Sequence, residues 1–238
     1  MRILHLDSGR DWRGGQRQVF LLAVAQRDDG HEPLVVAAPD SPLAGRLKTL
    51  GIASAAVAMR ADLDLFAVRR VRRLIFKWHP DVVHAHDARS HAIALGALIG
   101  AGVPLVVTRR VPFTPRGFFK YGSRVAHLIA ISHAVRRALH RGGVPDSRSS
   151  VVYSGVPSPT PGVRRDWRQE AGWPADTVLC GVVGAMTAEK GIARLTEIAA
   201  AVSPAVRARL RLVLLGGSAV GAGSFGGIDA YRAGFVDA

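Results

Sequence analysis

The segment Ser8-Gly9-Arg10-Asp11-Trp12-Arg13-Gly14-Gly15-Gln16 joins a short apolar run to a helical pattern. Glycines at such a turn let a ligand approach the backbone, and free N–H groups at a helix start favour an anion. Gly14 and Gly15 either face a ligand or serve a loop that needs positive φ. A second group is Val82-Val83-His84-Ala85-His86-Asp87, with His91 four residues beyond. Strand alternation puts His84 and His86 on one face, with His86 at the tip, where ligands of open α/β sheets bind. Imidazole and carboxylate also suit zinc. No fourth ligand stands at useful spacing, so no bound metal is expected; His84 reads as a packed histidine and His86 as the substrate contact.

Arg109-Arg110 closes the next apolar run and opens a segment to Tyr121 in which Phe113, Phe118, Phe119 and Tyr121 alternate with Arg116 and Lys120. Rings mixed with cations suit a peripheral membrane or lipid-linked acceptor, stack equally well on nucleic-acid bases, or pack inward. Arg69, Arg70, Arg72, Arg73 and Lys77 line one helical pattern and read as a solvated face. In Gly184-Ala-Met-Thr-Ala-Glu189-Lys190-Gly191, a lysine at a helix start can neutralise a phosphate. Gly221 to Gly226 spells G-x-G-x-x-G, but it starts five residues past a strand and has neither a helix nor an acidic partner after it. No P-loop and no nucleophile-elbow serine occur.

Short β-branched runs alternate with helical patterns, the rhythm of a parallel sheet with crossover helices. Strands are expected at 2–6, 34–38, 53–57, 82–85, 105–108, 128–131 and 150–153, with helices at 16–27, 42–50, 65–77, 89–99, 117–124 and 133–141. That is an α/β, Rossmann-like, doubly wound domain over 1–153. Ser154 to Arg165, rich in proline and glycine, reads as a linker. The alternation restarts over 166–238 with a strand at 178–183, a helix at 188–202 and a strand at 210–215. Gly216 to Gly227 has too few side chains for a core element, so this second domain is expected to be an incomplete sheet.

The 238 residues are 48% apolar, which excludes disorder. Of 32 cations, 28 are arginine, and the net charge of +14 is uneven: residues 101–165 hold 11 cations and one anion, whereas 166–238 hold seven of each. Such a band suits phosphate groups or an anionic membrane face. Cys180 is the only cysteine, which excludes disulfide frameworks. Asp7 interrupts the first apolar run before a signal sequence can form, so a cytoplasmic protein is expected, at most peripheral on the inner face of the membrane.

Several motifs in order, ILHLDSGRDWRGGQRQ, DVVHAH, PLVVTRRV, HLIAISHAVRRAL, SVVYSGV, VGAMTAEKG and LRLVLLGG, resemble the family 4 glycosyltransferases. The resemblance implies a GT-B architecture of two Rossmann-like domains. It further implies transfer of a sugar from a nucleotide-sugar donor, with retention and no metal or other cofactor, to a glycan or lipid-linked acceptor of the cell envelope. By motif, Gly15 with Gly14 would approach donor phosphate or acceptor, His86 would contact the transferred sugar, and Lys190 would hold the diphosphate. Arg109 and Arg110 are further candidate substrate contacts, and residues 103–165 form a candidate anionic-membrane surface; no nucleic-acid partner is expected. Gly184-Ala185 stands where many members have Gly-Arg, Ser154-Gly155 replaces Asn-Gly, and the family's E-x7-E segment is absent. Truncation, internal deletion or an incomplete gene fit that departure, and a non-catalytic remnant is the alternative function.

Overall fold

The computed structural model describes residues 1–114, 121–158, 165–184, 190–191, 193–216, 221–225 and 228–233. The chain divides into two compact units, Met1–Pro157 and Ser158–Ala238. In the first, strands β1 (Arg2–Leu6), β2 (Glu32–Ala37), β3 (Ser54–Ala56), β4 (Val82–Ala85), β5 (Leu105–Arg109), β6 (Val125–Ala130) and β7 (Ser149–Val151) pair wholly in parallel. Their order is β3-β2-β1-β4-β5-β6-β7. Helices α1 (Gly14–Asp28), α2 (Pro42–Thr49), α3 (Leu65–Trp78), α4 (Ala88–Ala97) and α5 (His133–Arg141) supply the crossovers. The chain leaves β1 towards β2 and leaves β4 towards β5, so the crevice of this doubly wound sheet opens at the carboxyl ends of β1 and β4.

Alternation along the strands sorts the core into two layers. Leu4, Leu6, Leu34, Val36, Val83 and Ala85 join Ala67, Val71 and Ile75 of α3 and Ile93, Ala94 and Ala97 of α4. Val35 and Ala37 turn the other way, onto Val19 and Ala23 of α1 and Leu43 and Leu47 of α2. His5, between Leu4 and Leu6, therefore lies on the α1 face, and so does its register partner His84 on β4. Gly96 lets α4 close on α3, since a Cβ there would stand 3.1 Å from Val68 Cγ2. Three caps fix helix starts: Ser41 on α2, Asp64 on α3 and Ser132 on α5 each accept a bond from a first-turn amide.

The second unit carries α6 (Trp167–Ala171), β8 (Val178–Val183), α7 (Arg194–Ala201), α8 (Pro204–Arg209), β9 (Leu210–Leu215), β10 (Gly221–Phe225) and β11 (Ile228–Ala233), with sheet order β10-β11-β9-β8. Within the stretch expected to make no core element, Gly221–Phe225 pairs antiparallel with β11 as an edge strand. Backbone hydrogen bonds need no side chains, and a glycine-rich strand is tolerated at a sheet edge. The helix expected over 188–202 begins only at Arg194, with Ala188, Glu189 and Ile192 outside the described residues. Residues 117–120 of the helix expected at 117–124 also lie outside them, and Tyr121 to Arg124 is a turn.

Candidate functional site

Four segments meet at the switch point. After β1 come Asp7, Ser8 and Gly9, and α1 then starts at Gly14. This corrects the reading of a positive-φ loop, because Gly14 and Gly15 are helical and neither has positive φ. Arg13, the residue before α1, makes no side-chain cap, and no acid stands in the first turn, so the helix start keeps amides suited to an anion. A Cβ on Gly15 would lie 3.9 Å from Cδ and Nε of Arg110, which follows β5. The structure thus brings Gly15 and Arg110 together. Gly14 has no atom within 4 Å of such a Cβ and faces open space.

Carboxylates hold this loop in place. Asp7 is buried and accepts from the Gly9 amide (2.9 Å) and Gln16 Nε2 (3.0 Å). Burial raises its pKa, with the Asp87 charge adding to the effect and Gln16 and Arg110 opposing it. A Cβ on Gly9 would stand 2.2 Å from Gln16 Nε2, so a side chain there would have to push the Gln16 amide from its place on Asp7. Asp87, the N-cap of α4, accepts from the amides of Arg89 and Ser90 and from both the amide and hydroxyl of Ser8. One carboxylate therefore ties the β1 loop to the β4 loop. Arg110 is half-buried; burial lowers its pKa, while Asp7 and Asp87 pull it back up.

Behind the loops lie three buried imidazoles. His5 is 0% and His86 2% exposed. His5 Nδ1 lies 3.0 Å from His86 Nε2, His5 Nε2 lies 2.7 Å from Gln26 Oε1 on α1, and His84 Nε2 lies 2.7 Å from Thr108 Oγ1 on β5. Burial lowers all three pKa values, to about 4 for His5 and about 3 for His84, and well below the usual value for His86. Among the described residues, this is the group whose ligand atoms, all within 4.8 Å of one another, could hold a metal ion. Four of its six ring nitrogens already have hydrogen-bond partners, and the Arg110 charge presses on His84 and His86. The donor set is therefore arranged as a hydrogen-bonded array. Of the other residues weighed as ligands, Asp87 caps α4, and His91 packs edge-on against Tyr121.

Arg109 turns away from its neighbour, donating to Tyr121 Oη (2.8 Å) and the Phe113 carbonyl (3.1 Å). It holds the segment after β5. Phe113 is exposed and Tyr121 buried; Arg116, Phe118, Phe119 and Lys120 lie outside the described residues. Lys190 belongs to the second unit, exposed, with its Cγ 3.9 Å from where a Gly184 Cβ would be. A separate hollow at the amino end of β6, lined by Tyr121, Gly122, Val125, Gly143 and Arg148, lies away from the crevice. Sequence reasoning does not find His5, Asp7 or Gln26 as parts of the site. The signal for His5 is an alternation on β1 that acquires meaning only once β1 is known to pair with β4.

This fold agrees with the comparisons. The profile described as Glycosyltransferase Family 4 matches residues 12–158, more than half of the chain, and the chain belongs to that family. HepE of Anabaena, solved with UDP and glucose, superposes with a TM-score of 0.73 at 20% identity, over 91% of this chain and 61% of that one. A glycosyltransferase of Rickettsia africae superposes with a TM-score of 0.72 at 16% identity, over 90% and 60%. The lipopolysaccharide outer core galactosyltransferase WaaB in its apo form gives 0.61 at 16%, over 92% and 62%. These likenesses establish a GT-B-type fold, and the chain spans about 60% of the length of the solved structures it matches. No curated protein matches it in sequence.

Proposed function

We propose that this chain takes part in transferring a sugar from a nucleotide-sugar donor, with retention, to a glycan or lipid-linked acceptor of the cell envelope, without a metal or other cofactor. The observation that carries this reading is the half-buried Arg110 against the uncapped start of α1 at Gly15. A nucleoside diphosphate leaving group needs fixed positive charge where negative charge develops, and a guanidinium beside free amides supplies it. Lys190, in the second unit, would hold the diphosphate, as the family motif implies. His86 would meet the transferred sugar as a neutral ring. The two carboxylates of the crevice are engaged in holding loops, which suits a reaction without a pair of catalytic carboxylates. HepE, the relative solved with UDP and glucose, supports the donor class.

Calorimetric titration of the full chain with a panel of UDP- and GDP-sugars tests the reading. Binding of one donor, weakened about tenfold or more in Arg110→Gln, is expected. An absence of binding to every donor would overturn it and leave a non-catalytic, acceptor-binding remnant.

We place the chain on the cytoplasmic side, peripheral to the inner membrane face, with α3 as the contact in preference to the 103–165 band. In that band, Arg109, Arg136 and Arg148 donate to internal partners and Arg110 lines the crevice. On α3, Arg69, Arg70, Arg73 and Lys77 are exposed beside Leu65 and Phe66, the latter 78% exposed. No described helix is long and apolar enough to cross a membrane. Co-sedimentation with anionic but not neutral vesicles, lost in Arg69→Glu/Arg73→Glu, is the expected result; equal pelleting with both would remove this contact. Affinity for plain duplex falling steeply with salt would restore nucleic acid as the partner.

A further inference from the structure

We infer that Gln26, acting through His5, fixes where the proton sits on His86 and leaves His86 Nδ1 as a lone-pair acceptor for a hydroxyl of the bound sugar. The inference rests on the reading of the crevice as a sugar site, but the proton row itself does not.

The row runs through two close contacts: Gln26 Oε1 with His5 Nε2 at 2.7 Å, and His5 Nδ1 with His86 Nε2 at 3.0 Å. A neutral imidazole has one N–H and one lone pair. Burial keeps these rings neutral, so each holds a single proton. The amide oxygen of Gln26 only accepts, so His5 must carry its proton on Nε2 and offer a lone pair at Nδ1. His86 Nε2 must then donate into that lone pair. What remains on His86 is Nδ1, a buried ring nitrogen without a partner among the described residues.

Turning the Gln26 amide over would reverse every bond in the row and put an N–H at His86 Nδ1. Two features of the site oppose that arrangement. A buried N–H without an acceptor is rarer and costlier than an under-used lone pair. The Arg110 guanidinium also acts on His86 from nearby, and its positive charge favours a lone pair over the positive end of an N–H dipole. His84 stands outside the row because its Nε2 is occupied by Thr108 Oγ1. Gln26 and His5 are thus positioning residues. Gln26 sits on α1 about three turns beyond Gly14, so the helix that offers amides to an anion at its start also sets the polarity of the ring at the strand tip.

The test is nitrogen NMR of the full chain with 15N-labelled histidine, which separates proton-bearing from bare ring nitrogens. For both His5 and His86 in the unsubstituted protein, the expected pattern is a protonated Nε2 and a bare Nδ1. Gln26→Met removes the anchor, and both rings should shift to averaged, mixed-tautomer positions while the backbone amide spectrum stays otherwise unchanged. A protonated His86 Nδ1 in the unsubstituted chain would overturn the inference, whether or not the variant folds. So would a single unchanged tautomer in Gln26→Met. Addition of UDP-glucose, or of the donor that calorimetry selects, should then move the His86 Nδ1 resonance. If the row has the stated tautomers and no donor moves that resonance, the sugar role fails and the row stands. If the donor binds and the tautomers are reversed, the row alone fails.

Discussion

The two units are built from the same materials and bury them to different extents. In the first, seven parallel strands are covered on both faces, and β1 shows four buried residues in succession. In the second, β8 has no buried residue, and Val183 at its end is 75% exposed. The described buried apolar residues of the second unit are Ala199, Leu212, Val213, Leu214, Ile228 and Ala230. A parallel sheet is stable only where crossover helices cover both faces. β8 and β9 are strands by sequence pattern and pairing alike, so the difference lies in how much surrounds them.

The largest expected effect separates the units outright. Residues 1–157 expressed alone should unfold in a single cooperative urea transition followed by circular dichroism, whereas 158–238 alone should show none. A sharp transition in the shorter piece would remove the contrast. Within the full chain, Leu6→Ala is expected to lose about 4 kcal/mol and Leu212→Ala about 2 kcal/mol, because a cavity costs more where the surroundings are already close-packed. Equal losses would show that the second core is as dense as the first.

Acid should sharpen the contrast next. Well above pH 6.5 the buried rings of His5, His84 and His86 are neutral in both states. As the pH falls below that, the unfolded chain gains protons that the folded one refuses until about pH 4 at His5 and about pH 3 at His84. Stability of the first unit is therefore lost progressively through that window. Asp7, whose pKa is raised by burial, works in the opposite sense, as one group against three. Urea midpoints of residues 1–157 at pH 7 and pH 4.5 measure the drop, and a flat profile would mean that the rings are not held neutral. The smallest effects concern two helical glycines of the first unit. Gly96→Ala forces Val68 to give and should cost about 1 kcal/mol, while Gly14→Ala, with open space around it, should gain about 0.5 kcal/mol. Thermal melts of the two variants should move in opposite directions.

Most of the first unit was legible along the chain, because β1, β4, α3 and α5 carry their period in the order of their apolar residues and α3 announces its start with Asp64. The second unit was less so. Gly221–Phe225 carries no side-chain pattern at all, and its strand exists through pairing with β11. At the site, the glycine loop, His86 and Arg110 could be named from residue type and position at strand ends. Their partners could not be, since His5 and Gln26 lie 81 and 60 residues from His86 in sequence.

By itself, the sequence determined the alternation of strands and helices, the family, the excess of arginine and the residues that stand at strand tips. Those properties are local, written in period, composition and short motifs. Only the tertiary structure decided that β1 lies beside β4, so that three histidines share one buried layer under α1. It alone decided that Arg110 meets Gly15 while Arg109 turns to Tyr121, and that Arg136 and Arg148 of the most basic segment are spent on internal hydrogen bonds. Strand order and burial join residues far apart in the chain, and burial, through desolvation and forced pairing, sets the charge and proton position of each.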